Sequence, residues 1–297
     1  FGVAQMFHPA VREALAGTLT GERPPVIWLQ GQGCTGCSVS LLNNVNPSIA
    51  DVLLKIISLE YHPTVMGGEG HDAYTHMLNI AKNFKGKFFL AIEGSIPLAK
   101  DGRYCVVAEE GHTEITMADL VKKLAPDAAA VLALGTCAAY GGIPAAKGSV
   151  TEAMGTGAML KQAGIKTPVV NIPGCPPQPD WIVGTIALAL QKIKEKGLEA
   201  GLAEVSLLDS EGRPLPFYGR NVHENCPYLG KYDEGKFSAT FTEKDGCRYD
   251  LGCKGPGAYC DSFERKWNGV NWCVANAICI GCTEPSFPDG QSPFYSN

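Results

Sequence analysis

The chain has 297 residues, 45% hydrophobic and 19% charged, which is enough apolar material for a folded protein of two domains rather than a disordered chain. Lys and Arg total 25 against 30 Asp and Glu, a formal charge of −5 that argues against a nucleic-acid binder built on phosphate contacts. No apolar run reaches the roughly 18 residues of a membrane span, and no basic and apolar leader opens the chain, whose start at Phe1 fits a trimmed or processed protein.

In chain order, the first buried strand is expected at 26–29 and leads directly into Gly31-Gln-Gly-Cys-Thr-Gly-Cys37. A helix is expected at 48–59, a further strand at 61–66 interrupted by Pro63, and a helix at 72–84. Strand 88–92 follows, then the strand-like run 103–108 that holds Cys105, and a helix at 117–124. Strand 128–134 runs into Cys137, helix 152–163 into strand 168–172, and that strand into Cys175, before a helix at 179–194. The apolar stretch 181–190 belongs to this last helix. Alternating strands and helices predict an α/β fold with a doubly wound parallel sheet. Residues 201–297 are rich in Gly, Pro, Asn and Tyr and keep no period, so the expected division is 1–200 and 201–297.

The twelve cysteines carry the strongest signal. Cys34, Cys37, Cys137 and Cys175 all lie just past carboxyl ends of expected parallel strands, the edge where open α/β sheets bind their ligands. Seven more, Cys226, Cys247, Cys253, Cys260, Cys273, Cys279 and Cys282, crowd the irregular segment. A chain of this length does not need disulfides to be stable, which favours metal. With His223 the second segment holds eight soft ligands, enough for two four-ligand sites, and the sheet edge supplies a third set. Cys105 is left over and reads as a small buried hydrophobe. His8, His62, His71, His76 and His112 have no cysteine at ligand spacing and read as structural histidines. Structural zinc ordinarily uses two short-spaced cysteine pairs, whereas the first set has one pair and two distant single cysteines, so iron–sulfur clusters fit better. Gly31, Gly33 and Gly36 also spell a dinucleotide fingerprint with Asp51 downstream, but Asp51 falls in an expected helix and two cysteines stand where pyrophosphate would approach.

The run Trp28-Leu-Gln-Gly-Gln-Gly-Cys-Thr-Gly-Cys-Ser38, the loops around Cys137 and Cys175, His223-Glu-Asn-Cys-Pro227, Gly252-Cys-Lys-Gly-Pro256 and Cys279-Ile-Gly-Cys-Thr-Glu-Pro285 resemble the small subunit of nickel–iron hydrogenases over nearly the whole chain. The resemblance implies a flavodoxin-like first domain followed by a small, irregular iron–sulfur domain. It implies a proximal 4Fe–4S cluster on Cys34, Cys37, Cys137 and Cys175 and a distal one on His223, Cys226, Cys247 and Cys253. The medial cluster would use Cys260, Cys279 and Cys282; many relatives carry proline where this chain has Cys273, whose thiolate points to a medial 4Fe–4S rather than 3Fe–4S cluster. That feature resembles the nickel–iron–selenium subclass. Gly36 and Ala145 stand where oxygen-tolerant relatives carry two extra cysteines.

The same resemblance implies an electron-transfer subunit of a heterodimeric hydrogenase, H2 ⇌ 2H⁺ + 2e⁻. Three filled clusters leave no thiolate set for a nickel–iron centre, which places H2 cleavage in a large partner subunit. Also implied are a periplasmic location, an export signal removed, no transmembrane segment, and an external acceptor such as a multihaem c-type cytochrome. An iron–sulfur subunit of a quinone-reductase-type complex and a zinc-stabilised scaffold are the other readings of the same residues.

Overall fold

The computed structural model describes residues 23–197, 207–243, 245–266 and 277–296. Strands β1 (Pro25–Gln30), β2 (Ser58–Tyr61), β3 (Phe89–Glu93), β6 (Ala130–Leu134) and β7 (Val169–Ile172) form one parallel sheet in the order β2-β1-β3-β6-β7. Counted within the sheet the order is 2-1-3-4-5, the flavodoxin arrangement. Strands β4 (Val106–Glu110) and β5 (Thr113–Thr116) form a separate antiparallel hairpin inserted between β3 and β6.

The central strands read as unbroken apolar runs because both faces are covered. Val26, Trp28, Phe89, Ala91, Ala130 and Leu132 face one core; Ile27, Leu29, Leu90, Ile92, Val131 and Ala133 face the other. Helices α1 (Gly36–Leu42), α2 (Gly70–Asn83), α3 (Met117–Leu124), α4 (Gly135–Tyr140) and α5 (Thr156–Gln162) connect the strands, and α6 (Pro179–Lys196) follows β7. Helix α3 starts at a capping box between Thr116 and Asp119 and buries Met117, Leu120, Val121 and Leu124, the one-faced spacing expected of it. Helix α6 is apolar around most of its first half for a different reason. Trp181, Ile182, Val183 and Ile186 share a core with the sheet, with Phe217, Tyr218 and Val222, and with Ala258 and Phe263, so later chain covers the face a surface helix would leave to water.

Two expected elements are corrected. The helix expected to run to 59 ends earlier: Ile49–Asp51 is α-helical, Val52–Ile56 is wound as a π-helix, and Ser58–Tyr61 pairs as β2 with β1. The strand expected at 61–66 is therefore displaced toward the N-terminus, and Pro63 lies beyond its end, where the missing N–H costs no ladder bond. The 103–108 run is the approach to the β4–β5 hairpin, with Cys105 half-buried against the second core. Beyond residue 207, the described residues form short helical turns and isolated bridges, with no named strand.

Candidate functional site

The carboxyl edge of the sheet is assembled from β1, β3, β6 and β7. The glycine loop after β1 is fastened to the loop after β3: Gly31 N–H donates to Glu93 O (2.7 Å), Gln32 N–H to Ser95 O (2.9 Å), and Ser95 N–H to Gln32 O (2.8 Å). A Cβ on Gly31 would lie 2.5 Å from the Ser95 carbonyl oxygen. These glycines thus serve close packing, and two of the N–H groups a pyrophosphate would use are already engaged, which removes the nucleotide reading.

Cys37 lies in the first turn of α1. Its N–H donates to Glu93 Oε1 at 2.8 Å and that of Ser38 to the same oxygen at 3.1 Å. Glu93, buried at the end of β3, also accepts from Trp28 Nε1 (3.0 Å) and from the Ser38 hydroxyl on its other oxygen. His62 Nε2 is 3.0 Å from Ser38 Oγ, so this histidine is structural as expected. Burial holds its pKa below the ordinary histidine value against the opposing pull of Glu93.

Glycines make room for the sulfurs. A Cβ on Gly135 (φ +85°) would fall 2.5 Å from Cys37 Sγ, one on Gly142 (φ +53°) 3.0 Å from Cys137 Sγ, and one on Gly36 3.0 Å from Cys34 Sγ. The four thiols feel one another. Burial pushes Cys37 well above the ordinary thiol pKa, with Glu93, Cys137, Cys34 and Cys175 adding to it. Cys137 is pushed up to about 11 by burial and then Cys175, and Cys175 is raised by burial and then Cys34. Three buried thiols that resist ionising, Cys37, Cys137 and Cys175, are a poor arrangement for free cysteines and a suitable one for a cationic metal centre that replaces their protons. Cys34 is exposed, so the group opens onto the surface.

The second group lies behind the first. Cys260, Cys279 and Cys282 line a hollow together with Pro176, Gln178 and Trp181. Burial raises the pKa of Cys282 to about 11. The third group, His223, Cys226, Cys247 and Cys253, lines a hollow to which Cys279 also contributes. Cys226 rises to about 11 through burial, opposed by the Tyr228 N–H that donates to its sulfur at 3.4 Å. The His223 ring meets Tyr232 edge-on at 4.5 Å between centroids. Cys273 lies outside the described residues.

Among the described residues no three His, Cys, Asp or Glu side chains are placed to hold a single metal ion.

Sequence reasoning missed Glu93, Thr136, Arg213 and Glu284, which hold these loops. Glu93 carried a signal: it ends an otherwise apolar strand run, Phe89-Leu-Ala-Ile-Glu93, where a carboxylate is costly unless several donors meet it.

Two family profiles match. "NADH ubiquinone oxidoreductase, 20 Kd subunit" covers residues 34–189, and the profile of the C-terminal part of the NiFe/NiFeSe hydrogenase small subunit covers residues 218–295. The chain is 54% identical to the periplasmic [NiFeSe] hydrogenase small subunit of Desulfomicrobium baculatum, over 99% of this chain and 93% of that protein. It is 38% identical to the periplasmic [NiFe] hydrogenase small subunit 1 of Nitratidesulfovibrio vulgaris, over 100% of this chain and 88% of that one. The structure of recombinant [NiFeSe] hydrogenase from Desulfovibrio vulgaris Hildenborough superposes with a TM-score of 0.92 at 71% identity, covering 95% of this chain and 100% of the other.

Proposed function

The chain belongs to the family of NiFe/NiFeSe hydrogenase small subunits, and from that premise we propose that its three thiol groups hold three iron–sulfur clusters forming one electron path. In this family the small subunit pairs with a large subunit that houses the active site. The proposed ligands are Cys34, Cys37, Cys137 and Cys175 at the sheet edge (proximal), Cys260, Cys273, Cys279 and Cys282 in the middle (medial), and His223, Cys226, Cys247 and Cys253 at the far end (distal). We place the division between the two parts of the chain near residue 200.

The observation that carries this reading is continuity. Thr136, beside Cys137, bonds both the Gly174 N–H and the Cys282 carbonyl, linking the first group to the second, and Cys279 lines both the second hollow and the third. Cubane clusters bound there would supply one-electron redox chemistry. The chain's own residues do the rest. Gly36, Gly135 and Gly142 leave space beside the sulfurs; Glu93 fixes the Cys37 turn; and packing against Trp181 and Phe263 keeps water from the inner groups. His223, neutral where the other ligands are anionic, would raise the potential of the outermost site.

Beside the sheet edge, Val39, Leu42 and Val45 of α1 and its following turn are 55%, 42% and 69% exposed, and Ile143 beyond α4 is 56% exposed. This apolar margin is where we propose the large subunit packs. The net charge of −5 suits a basic acceptor at the far end, such as a multihaem c-type cytochrome. The relatives named above are periplasmic, and the same location is proposed here. Among the described residues no helix is long and apolar enough to cross a membrane.

The test is iron and acid-labile sulfide in the anaerobically purified heterodimer, with EPR of its reduced and oxidised forms. About twelve irons per small subunit are expected. One or two clusters would contradict the assignment, and a colourless zinc protein would overturn it.

A further inference from the structure

The middle group is drawn from loops, and something other than secondary structure must set the spacing between Cys260 and Cys282. Glu284 does so. It is 8% exposed and lies two residues past Cys282, yet its Oε1 accepts the backbone N–H of Tyr259, the residue before Cys260, at 2.7 Å. The same oxygen accepts from the Thr283 hydroxyl at 3.1 Å and pairs with Arg213 Nη1 at 3.0 Å. One carboxylate thus ties both ligand loops together.

Arg213 completes the clasp. It is 4% exposed, its Nη1 also reaches the Thr283 carbonyl at 3.3 Å, and its Nε donates to Asp209 at 2.7 Å. Its guanidinium lies 5.7 and 5.5 Å from the ring centres of Tyr218 and Tyr259. One buried cation faces two carboxylates, so the unit carries a net negative charge in a low-dielectric setting beside Cys282.

We propose that Glu284 is a positioning residue for the middle cluster: it fixes Cys260 relative to Cys282, and its charge holds that cluster's reduction potential down. The inference rests on the ligand assignment proposed above. The chemistry is direct, since a fixed negative charge near a redox centre disfavours the reduced, more negative state.

The test compares Glu284→Gln and Glu284→Ala in the heterodimer produced with its large subunit, by iron analysis and EPR-monitored redox titration. Glu284→Gln keeps an oxygen for Tyr259 and Arg213 but removes the charge. It should retain full iron and raise the middle cluster's midpoint potential, leaving that of the sheet-edge cluster unmoved. Glu284→Ala removes the acceptor and should lose the middle cluster's signal while the other two remain. Either a Glu284→Gln protein with an unmoved potential, or a Glu284→Ala protein with the middle cluster intact and unmoved, overturns the inference. A wild-type protein without a third cluster overturns the ligand assignment itself, and the inference with it.

Discussion

The hydroxyl of Thr136 donates to the backbone carbonyl of Cys282 and accepts the backbone N–H of Gly174 at 2.9 Å. Thr136 is 1% exposed and stands next to Cys137 in α4. One side chain therefore locks together the loops that carry Cys137, Cys175 and Cys282, although 146 residues separate Thr136 from Cys282. The contact between the loops of the first and second thiol groups is thus a hydrogen-bonded junction.

Thr136→Val keeps the shape and removes both hydrogen bonds. Leaving a half-buried carbonyl and a buried N–H unpaired should cost about 2 kcal/mol. The thermal midpoint of the heterodimer should fall, read by calorimetry at fixed scan rate, while Thr136→Ser restores most of it. Equal midpoints for all three proteins would show that the junction is held elsewhere.

Glu93 serves the β1 loop in the same way, as acceptor for the Cys37 and Ser38 N–H groups and the Trp28 indole. Glu93→Ala orphans all three donors and should destabilise the fold by on the order of 3 kcal/mol. The expected measurement is a lower denaturation midpoint together with iron loss confined to the proximal cluster. Retention of that cluster at wild-type stability would contradict the role given to Glu93.

Gly135 and Gly157 make a paired test. Gly135 has φ +85° and its added Cβ would fall 2.5 Å from Cys37 Sγ, whereas Gly157 on α5 has nothing within 4 Å. Gly135→Ala should displace the Cys37 sulfur and cost roughly a third of the iron, about four of twelve atoms. Gly157→Ala should leave iron content unchanged and stabilise α5 slightly, by about 0.5–1 kcal/mol. Iron analysis on the two purified proteins separates them.

His62 gives a pH prediction. Its pKa is depressed by burial, so as the pH falls the unfolded chain takes up this proton first. The stability associated with neutral His62 is complete above the unfolded value of about 6.5 and is lost as pH falls from there through the folded value. A His62→Gln protein should therefore lose less stability than wild type between about pH 7 and pH 5. Urea denaturation at both pH values checks it, and parallel losses in the two proteins would refute it.

Cys273 predicts the nature of the medial cluster. With a fourth thiolate the corner iron is retained, so fresh, oxygen-protected protein should lack the EPR signal of an oxidised 3Fe–4S cluster, and Cys273→Pro should create it. A strong signal in the wild-type protein would mean that Cys273 does not bind iron.

Features encoded locally or by side-chain type were legible in the chain before it was folded. The buried strands β1, β3 and β6 could be read because their apolar runs reflect coverage on both faces, and α3 because its helical pattern is local. The positions of Cys34, Cys37, Cys137 and Cys175 followed from strand ends, since a parallel sheet brings all its carboxyl ends to one edge. The folded molecule alone assigned whatever depends on partners distant in the chain. Strand β2 took Ser58–Tyr61 from an expected helix because pairing with β1 outweighs local propensity. Glu93, Thr136 and Glu284 gained their roles from donors and acceptors 56, 146 and 25 residues away, at Cys37, Cys282 and Tyr259. No local pattern marks such a residue, because a buried polar side chain is stable only where the complete fold brings its hydrogen-bond partners to it.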